Sequence, residues 1–428
     1  MSRLIPYISR HKQKHRKGSM KILNTCSCLL LKAVISMVTL LVLTVPRTGI
    51  AEEVSPKAEG NRTLLTDQAV AYQIDPSHSG FVRTELQPPP LRKRWEVNLG
   101  GPISYPLIAD GKVFVTVADT SESGTKLYAL DSMTGDSVWG PISISSFFSW
   151  SNAAYDNGRI FVVNFDGLLS AYDAESGTLM WSRQLPDQYS FTSPPVAVRG
   201  IVYTGGSGSG GTVYAVNAFN GAILWTAPVE NGDHSSPAVS YDGIYVSYAC
   251  AQTYKFDLFT GALLWHYDTD CAGGGGRTPV YYRGRLYVRD WVTTPGGYVL
   301  DSNTGNLLTS YNADGTDPTP AFAGNLGFFL TAGTLEGRNL RNGRIMWSFA
   351  GDGHLSSAPI IVNRYIYIGS STGNLYALDA MSGKQVWSTN VGAEIPHPDE
   401  HNVVPLTGLG AGEGILVVPA GDLLIVYD

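Results

Sequence analysis

Four cysteines in 428 residues are too few for a scaffold built on disulfides. Two of them, Cys26 and Cys28, lie near the N-terminus, which leaves Cys250 and Cys271 for the rest of the chain. There is no adjacent cysteine pair, no zinc-spaced cysteine set, no G-x-S-x-G and no Walker loop. These absences remove the motif-based case for a zinc module, a nucleophile-elbow hydrolase or a phosphate-loop nucleotidase. Charge is also sparse, at 15% of residues. Residues 1–51 contain no Asp or Glu at all, yet hold nine of the 30 basic residues. The remainder therefore carries 21 basic against 36 acidic side chains, a net of −15. An acidic body argues against nucleic acid and against an anionic membrane surface as partners.

No apolar run is long enough for a confident membrane span. The candidate, Ala33 to Val45, has 13 uncharged residues, short of the roughly 20 that a spanning helix needs. It follows a basic stretch and precedes Gly49-Ile50-Ala51, small residues suited to a cleavage site. Residues 1–51 thus read as a basic extension, with Met1 or Met20 as the start, followed by a secretory signal peptide removed on export. The expected location is periplasmic or extracellular, with no integral span after processing. Cys26 and Cys28 precede the apolar run, so no lipid-modification cysteine follows it. Residues 52–90 show no strand pattern and end in Pro88-Pro89-Pro90. They read as a leader, lying along the outside of the domain or mobile.

What the chain has in abundance is glycine (48) and tyrosine (23), and a nine-residue unit that recurs. Its clear copies are Asp131–Trp139, Asp173–Trp181, Asn217–Trp225, Asp257–Trp265 and Asp379–Trp387. Two weaker copies are Asp301–Thr309 and Asn339–Trp347. Each opens on Asp or Asn, keeps a Gly at the fifth position and, in six of seven, ends on Trp. Asp or Asn can bond backbone amides two residues on, and Gly supplies the positive φ of a tight turn. The unit is a strand, a turn and a strand that buries an aromatic. Its copies are 38 to 44 residues apart, the period of a propeller blade.

Trp95 falls 44 residues before Trp139 but has no D-x-x-T-G before it, and the chain ends on Asp428 in the Asp position of the unit. The two halves complete one another. The expected fold is all-β: an eight-bladed β-propeller over 91–428, of four-stranded antiparallel blades, the last closed by the N-terminal strand. Closure removes both exposed sheet edges. Ligands would bind at the mouth formed by the loops leading into the inner strands and those between second and third strands. Candidates there are Trp150, His234, Arg277, Asp317, His354 and His401. His397 and His401 flank carboxylates, but the prolines at 396 and 405 deny them a helix face, so no metal site is read. Ala272 to Gly276 before Arg277 reads as a flexible loop. Cys250, read as ending the second strand of blade four, and Cys271, in the loop leaving that blade, fall at one mouth and are expected to form a structural disulfide.

The D-x-x-[TSN]-G-x-x-x-W unit resembles the tryptophan-docking motif of the pyrroloquinoline-quinone (PQQ) type propellers, over residues 91–428. The resemblance implies that Trp95, Trp139, Trp181, Trp225, Trp265, Trp347 and Trp387 form a girdle between blades, with the contact at Thr309 the weakest. It is closer to the non-catalytic members than to the quinoprotein alcohol dehydrogenases, which need PQQ, calcium and a catalytic Asp. The reading is an exported, monomeric module that binds or scaffolds a protein or peptide, without a cofactor. The alternatives are a PQQ- and calcium-dependent quinoprotein oxidoreductase and an outer-membrane protein assembly factor.

Overall fold

The computed structural model describes residues 67–428, apart from 231–233, 270–275, 291–294, 314–315 and 402. The extension, the signal segment, the first part of the leader and Cys271 lie outside the described residues. The fold expected from the repeat is present. Eight antiparallel sheets follow one another, each built from an inner strand, two middle strands and an outer strand. Blade one runs Leu107–Ala109, Lys112–Ala118, Thr125–Asp131 and Ser137–Ile144. Blades two to seven repeat this pattern in chain order.

Blade eight is shared between the two ends of the propeller chain. Gly410–Gly412, Ile415–Ala420 and Leu423–Tyr427 supply its inner three strands, and Lys93–Asn98 is the outer one. Trp95 stands opposite Val426 and Val97 opposite Leu424. The backbones of Arg92 and Asp428 exchange both hydrogen bonds, and the Arg94 guanidinium binds the Asp428 carboxylate at 2.6 Å. No edge is left where the ring would otherwise open.

The repeating unit works as its chemistry requires. The Asp131 carboxylate accepts the amides of Met133 and Thr134, and Asp257 and Asp301 do the same in their turns. The Thr260 hydroxyl foremost at Asp257, and the amide bonds foremost at Asp131 and Asp301, hold the three carboxyls below their usual range. The turn glycines all have φ between 68 and 78°. Six of the seven are also the platform for the preceding blade's indole. A Cβ added to Gly135, Gly177, Gly221, Gly261, Gly305 or Gly383 would come within 2.4–2.8 Å of a tryptophan ring. In each case the indole N–H donates to the carbonyl of the second turn residue, at 3.0–3.2 Å. One geometry, one hydrogen bond and one apolar surface thus join blade to blade six times.

Two contacts depart from the rule. Trp387 faces the split corner of blade eight, which has no glycine turn, and its ring meets Tyr427 edge-on at 5.8 Å. Thr309 leaves the space over Gly343 open, and a cavity of about 330 Å³ lies there. The acceptor that an indole would take, the Leu340 carbonyl, receives the Arg285 guanidinium at 2.7 Å instead.

The leader does not run along the outside. From Asp67 to Val82 it enters the channel at the mouth bearing the turns between first and second strands. Its backbone bonds the inner strands at Ile108, Tyr155, Val239, Tyr281, Phe322 and Ile361. Phe81–Val82 adds to blade seven as a parallel fifth strand beside Ile360–Val362. Tyr72, Ile74 and His78 are almost wholly buried. The segment lacks strand periodicity because it pairs with a different blade every residue or two, so no face repeats.

The seams should rank accordingly. Trp265→Ala is expected to cost about 3–5 kcal/mol, and Thr309→Ala less than about 1 kcal/mol, in chemical denaturation followed by tryptophan fluorescence and circular dichroism. Equal losses would contradict the assignment of the blade five contact as the weakest.

Candidate functional site

The mouth expected to carry ligands is the one opposite the leader. A loop at 391–409, leading from blade seven into blade eight, dips into it. The loop is held by side chains of distant blades. Asn152 bonds both backbone groups of Leu406, at 3.0 and 3.1 Å, and the Tyr105 amide donates to the Leu406 carbonyl. The Ser356 hydroxyl donates to Ile395 at 2.6 Å, and the His397 ring meets the Thr316 carbonyl at 2.6 Å.

At its centre the loop inserts Glu400, 4% exposed. One carboxylate oxygen accepts the Thr278 amide and hydroxyl, both at 2.6 Å. The other faces Arg289 at 3.0 Å, and both side chains of that pair are nearly inaccessible. Arg289 also donates to the Thr278 and Asp317 carbonyls and to the Thr319 hydroxyl. Burial alone would raise Glu400. Arg289, Arg277 and the two Thr278 donors outweigh it and hold the carboxyl below the usual range. A buried pair of this kind adds little net stability, but either charge alone would be costly, so the pair fixes where the loop sits.

The two plugs meet inside the ring. The Tyr72 ring of the leader lies 3.4 Å from where a β-carbon would stand on Gly408, and 5.4 Å from the Tyr105 ring. His78 is buried below, its nitrogens 2.7 Å from the Tyr72 carbonyl and 3.0 Å from that of Pro237. Burial pulls its pKa down, and the two carbonyls oppose that pull.

Four of the six candidate residues gather around the loop. Arg277 is 5% exposed and lines a cleft of about 270 Å³ with Asp317, His397 and Asp399. Asp317 accepts the Ala332 amide. His234 bonds the Thr192 hydroxyl at 2.7 Å, and its ring stands edge-on to His401, centroids 4.8 Å apart. His397 meets the Thr316 carbonyl, whereas His401 stands against His234. A second cleft, about 520 Å³, opens on the other side of the loop between Gly101, Pro102, Val404 and Asp422.

Of the other two candidates, Trp150 needs correcting. Trp150 is 2% exposed and packs with Ala154, Phe161 and Phe191 in the core of blades two and three, so it offers no surface to a ligand. His354 is exposed in a turn where its amide donates to Asp352, and it lines neither cleft. Cys250 does not end a strand. It lies beyond Ile244–Ser247 in a short 3-10 turn, at φ 65°.

The residues that hold the site together, Glu400, Arg289, Thr278 and Tyr72, were not singled out from sequence. Arg289 had a signal, as a charge within the apolar strand Arg285–Arg289. Glu400 stands between the two histidines weighed as a metal pair.

Fold and site together define a closed eight-bladed propeller of the PQQ-like repeat class, with its channel filled by its own chain. The sequence profile of the family described as outer membrane protein assembly factor BamB matches residues 123–210 and 252–408, more than half of the chain. The chain belongs to that family. It is 27% identical over 257 residues to the outer membrane protein assembly factor BamB of Moranella endobia, covering 58% of this chain and 59% of that one. Among solved structures, BamB from Moraxella catarrhalis matches with a TM-score of 0.58 at 18% identity, covering 79% of this chain and 97% of that one. The quinohemoprotein alcohol dehydrogenase of Comamonas testosteroni matches with a TM-score of 0.66 at 13% identity, covering 85% and 80%. At these identities both structures show the fold alone. No described helix is long and apolar enough to cross a membrane.

Burial, with the charge of Arg277 and the neighbouring His234, lowers His401 to about 4. The folded protein therefore keeps this ring neutral where an unfolded chain, near 6.5, takes a proton. Its contribution to stability is present above pH 6.5 and is lost as pH falls towards 4. The melting temperature is expected to drop across that window, and less steeply in His401→Asn. Identical slopes for the two proteins would contradict the assignment.

Proposed function

We propose that this chain is an exported propeller that binds a protein partner and serves as a scaffold in outer-membrane protein assembly, working without PQQ or calcium. The observation that carries the reading is the filling of the channel by residues 67–82 from one end and 391–409 from the other. With the axis occupied by backbone and buried side chains, recognition moves to loops and rims, which suit proteins better than small reactants. Family membership supports the same reading, since the family is described by a role in outer-membrane protein assembly. The apolar run Ala33–Val45 supports export, and the net of −15 over residues 52–428 speaks against nucleic acid.

The side chains on hand speak against the quinoprotein alternative. A calcium-bound quinone needs oxygen ligands to spare for the metal. The buried carboxylate of the channel loop, Glu400, is already committed to Arg289 and Thr278. The described residues include no group of three His, Cys, Asp or Glu able to hold a metal ion.

The test is capture of the full chain from the envelope of an exporting cell, with a PQQ and calcium titration in parallel. Outer-membrane assembly components should be enriched, and exchange of the loop at 396–407 for a glycine-serine linker should abolish their capture. Retained quinone absorbance with dye-linked dehydrogenase activity would contradict the reading.

The expected disulfide between Cys250 and Cys271 belongs to the same proposal, because export leads to an oxidising compartment. Cys250 is buried, and its carbonyl accepts the hydroxyl of Thr269, two residues before Cys271. The bridge would close a loop of about 20 residues, worth roughly 3 kcal/mol. Non-reduced mass spectrometry should show one peptide pair joined at these positions. Two free thiols would exclude it.

A further inference from the structure

The seam between blades five and six differs from its neighbours in shape and in charge. The cavity over Gly343 has an aromatic floor. The Tyr311 and Phe329 rings meet edge-on at 5.2 Å, and Tyr287 stands 6.4 Å from Phe329. Its walls are cationic. The Arg338 guanidinium lies 4.7 Å over the Phe329 ring and is bound to Glu336, while Arg285 spans to the Leu340 carbonyl.

A second cleft of about 180 Å³ continues from the first, sharing Arg285, Tyr287 and Leu340 and adding Arg283 and Arg341. Neither cleft is lined by a carboxylate. Four arginines on one seam are a local inversion in a chain whose residues 52–428 carry a net of −15. Ile345, 49% exposed, adds apolar surface to the lining.

Six other seams show what this geometry accommodates, namely an indole lying on a turn glycine with its N–H on the adjoining carbonyl. Here the glycine and the carbonyl are present and the ring is missing. An indole or phenyl ring is of the size to fill the space, and the arginines favour a carboxylate beside it. A polyanion such as nucleic acid would gain the arginines but meet the acidic body around them.

We propose that this seam docks an acidic peptide segment of a partner protein, seating an aromatic side chain over Gly343 and the Tyr311–Phe329 floor, with a neighbouring carboxylate against Arg285 or Arg341. The proposal rests on the protein-binding reading above and names the chemistry of one partner contact. The ring would complete the girdle from outside, and the carboxylate would draw Arg285 off the Leu340 carbonyl. Affinity would then depend on salt through the arginines and on the aromatic through burial.

The test is fluorescence anisotropy of the full chain with a labelled peptide carrying Trp between Asp and Glu residues. Controls replace the Trp by Ala, or the acids by Lys. The wild-type chain is expected to bind the acidic Trp peptide and to lose about tenfold in affinity with either control. Thr309→Trp, which fills the socket from within, should lose about as much while melting no lower than wild type. Arg341→Ala should weaken binding less and flatten its salt dependence. Equal affinity of Thr309→Trp and wild type for the peptide would overturn the proposal, as would equal affinity for the Ala control. If the peptide fails but envelope components are still captured, the seam assignment falls and the protein-binding reading stands. If neither binds, both fall.

Discussion

The structure depends on an indole lying flat on a glycine of the next blade. That contact needs three things from the sequence at once. The turn must have positive φ, the turn residue must lack a Cβ, and a tryptophan must stand on the outer strand of the preceding blade. A flat ring on bare backbone buries large apolar area, and the indole N–H satisfies a carbonyl that would otherwise be shielded from water. Repeated six times, it sets the angle between sheets, so that eight of them return to the start. The closing blade needs no glycine turn because at its corner the strand at 93–98 meets Asp428, joined by the Arg92–Asp428 backbone bonds and the Arg94–Asp428 pair.

A ring of this kind leaves an axial channel, and here the chain itself fills it. The leader satisfies backbone groups of inner strands around one mouth, and the 391–409 loop places one buried ion pair near the other. Both are irregular segments in a protected place, and each is held by partners from many blades rather than by its own regularity. The Glu400–Arg289 pair specifies position more than it adds stability. Recognition is thereby displaced from the axis to the loops and seams.

The fold was legible because a strand–turn–strand unit is local: Asp131, Gly135 and Trp139 announce their geometry within nine residues. The split blade was legible because Asp428 and Trp95 are the two halves of that unit. The site was legible only in part. Arg277, Asp317, His234 and His401 lie in loops whose mouth follows from strand alternation, and the structure gathers them. Trp150 misled because a loop tryptophan next to a strand is as well suited to the core as to a ligand. The leader was misplaced because its pairing is entirely with residues far along the chain, which leaves no pattern in the segment itself. Thr309 was visible as a missing tryptophan. That its place is lined with arginine and tyrosine was not, since those residues come from three different strands.

The seams differ in one respect that can be read directly. Hydrogen exchange followed by mass spectrometry compares all eight blades in a single experiment on the intact protein. Strands 93–98 and 423–427 should be as protected as the inner strands of blade two, and the outer strand of blade five, 307–312, should exchange before any other outer strand. Early exchange at 93–98 and 423–427 together, with blade five protected like its neighbours, would contradict a ring that is closed by its own ends and open only where the indole is absent.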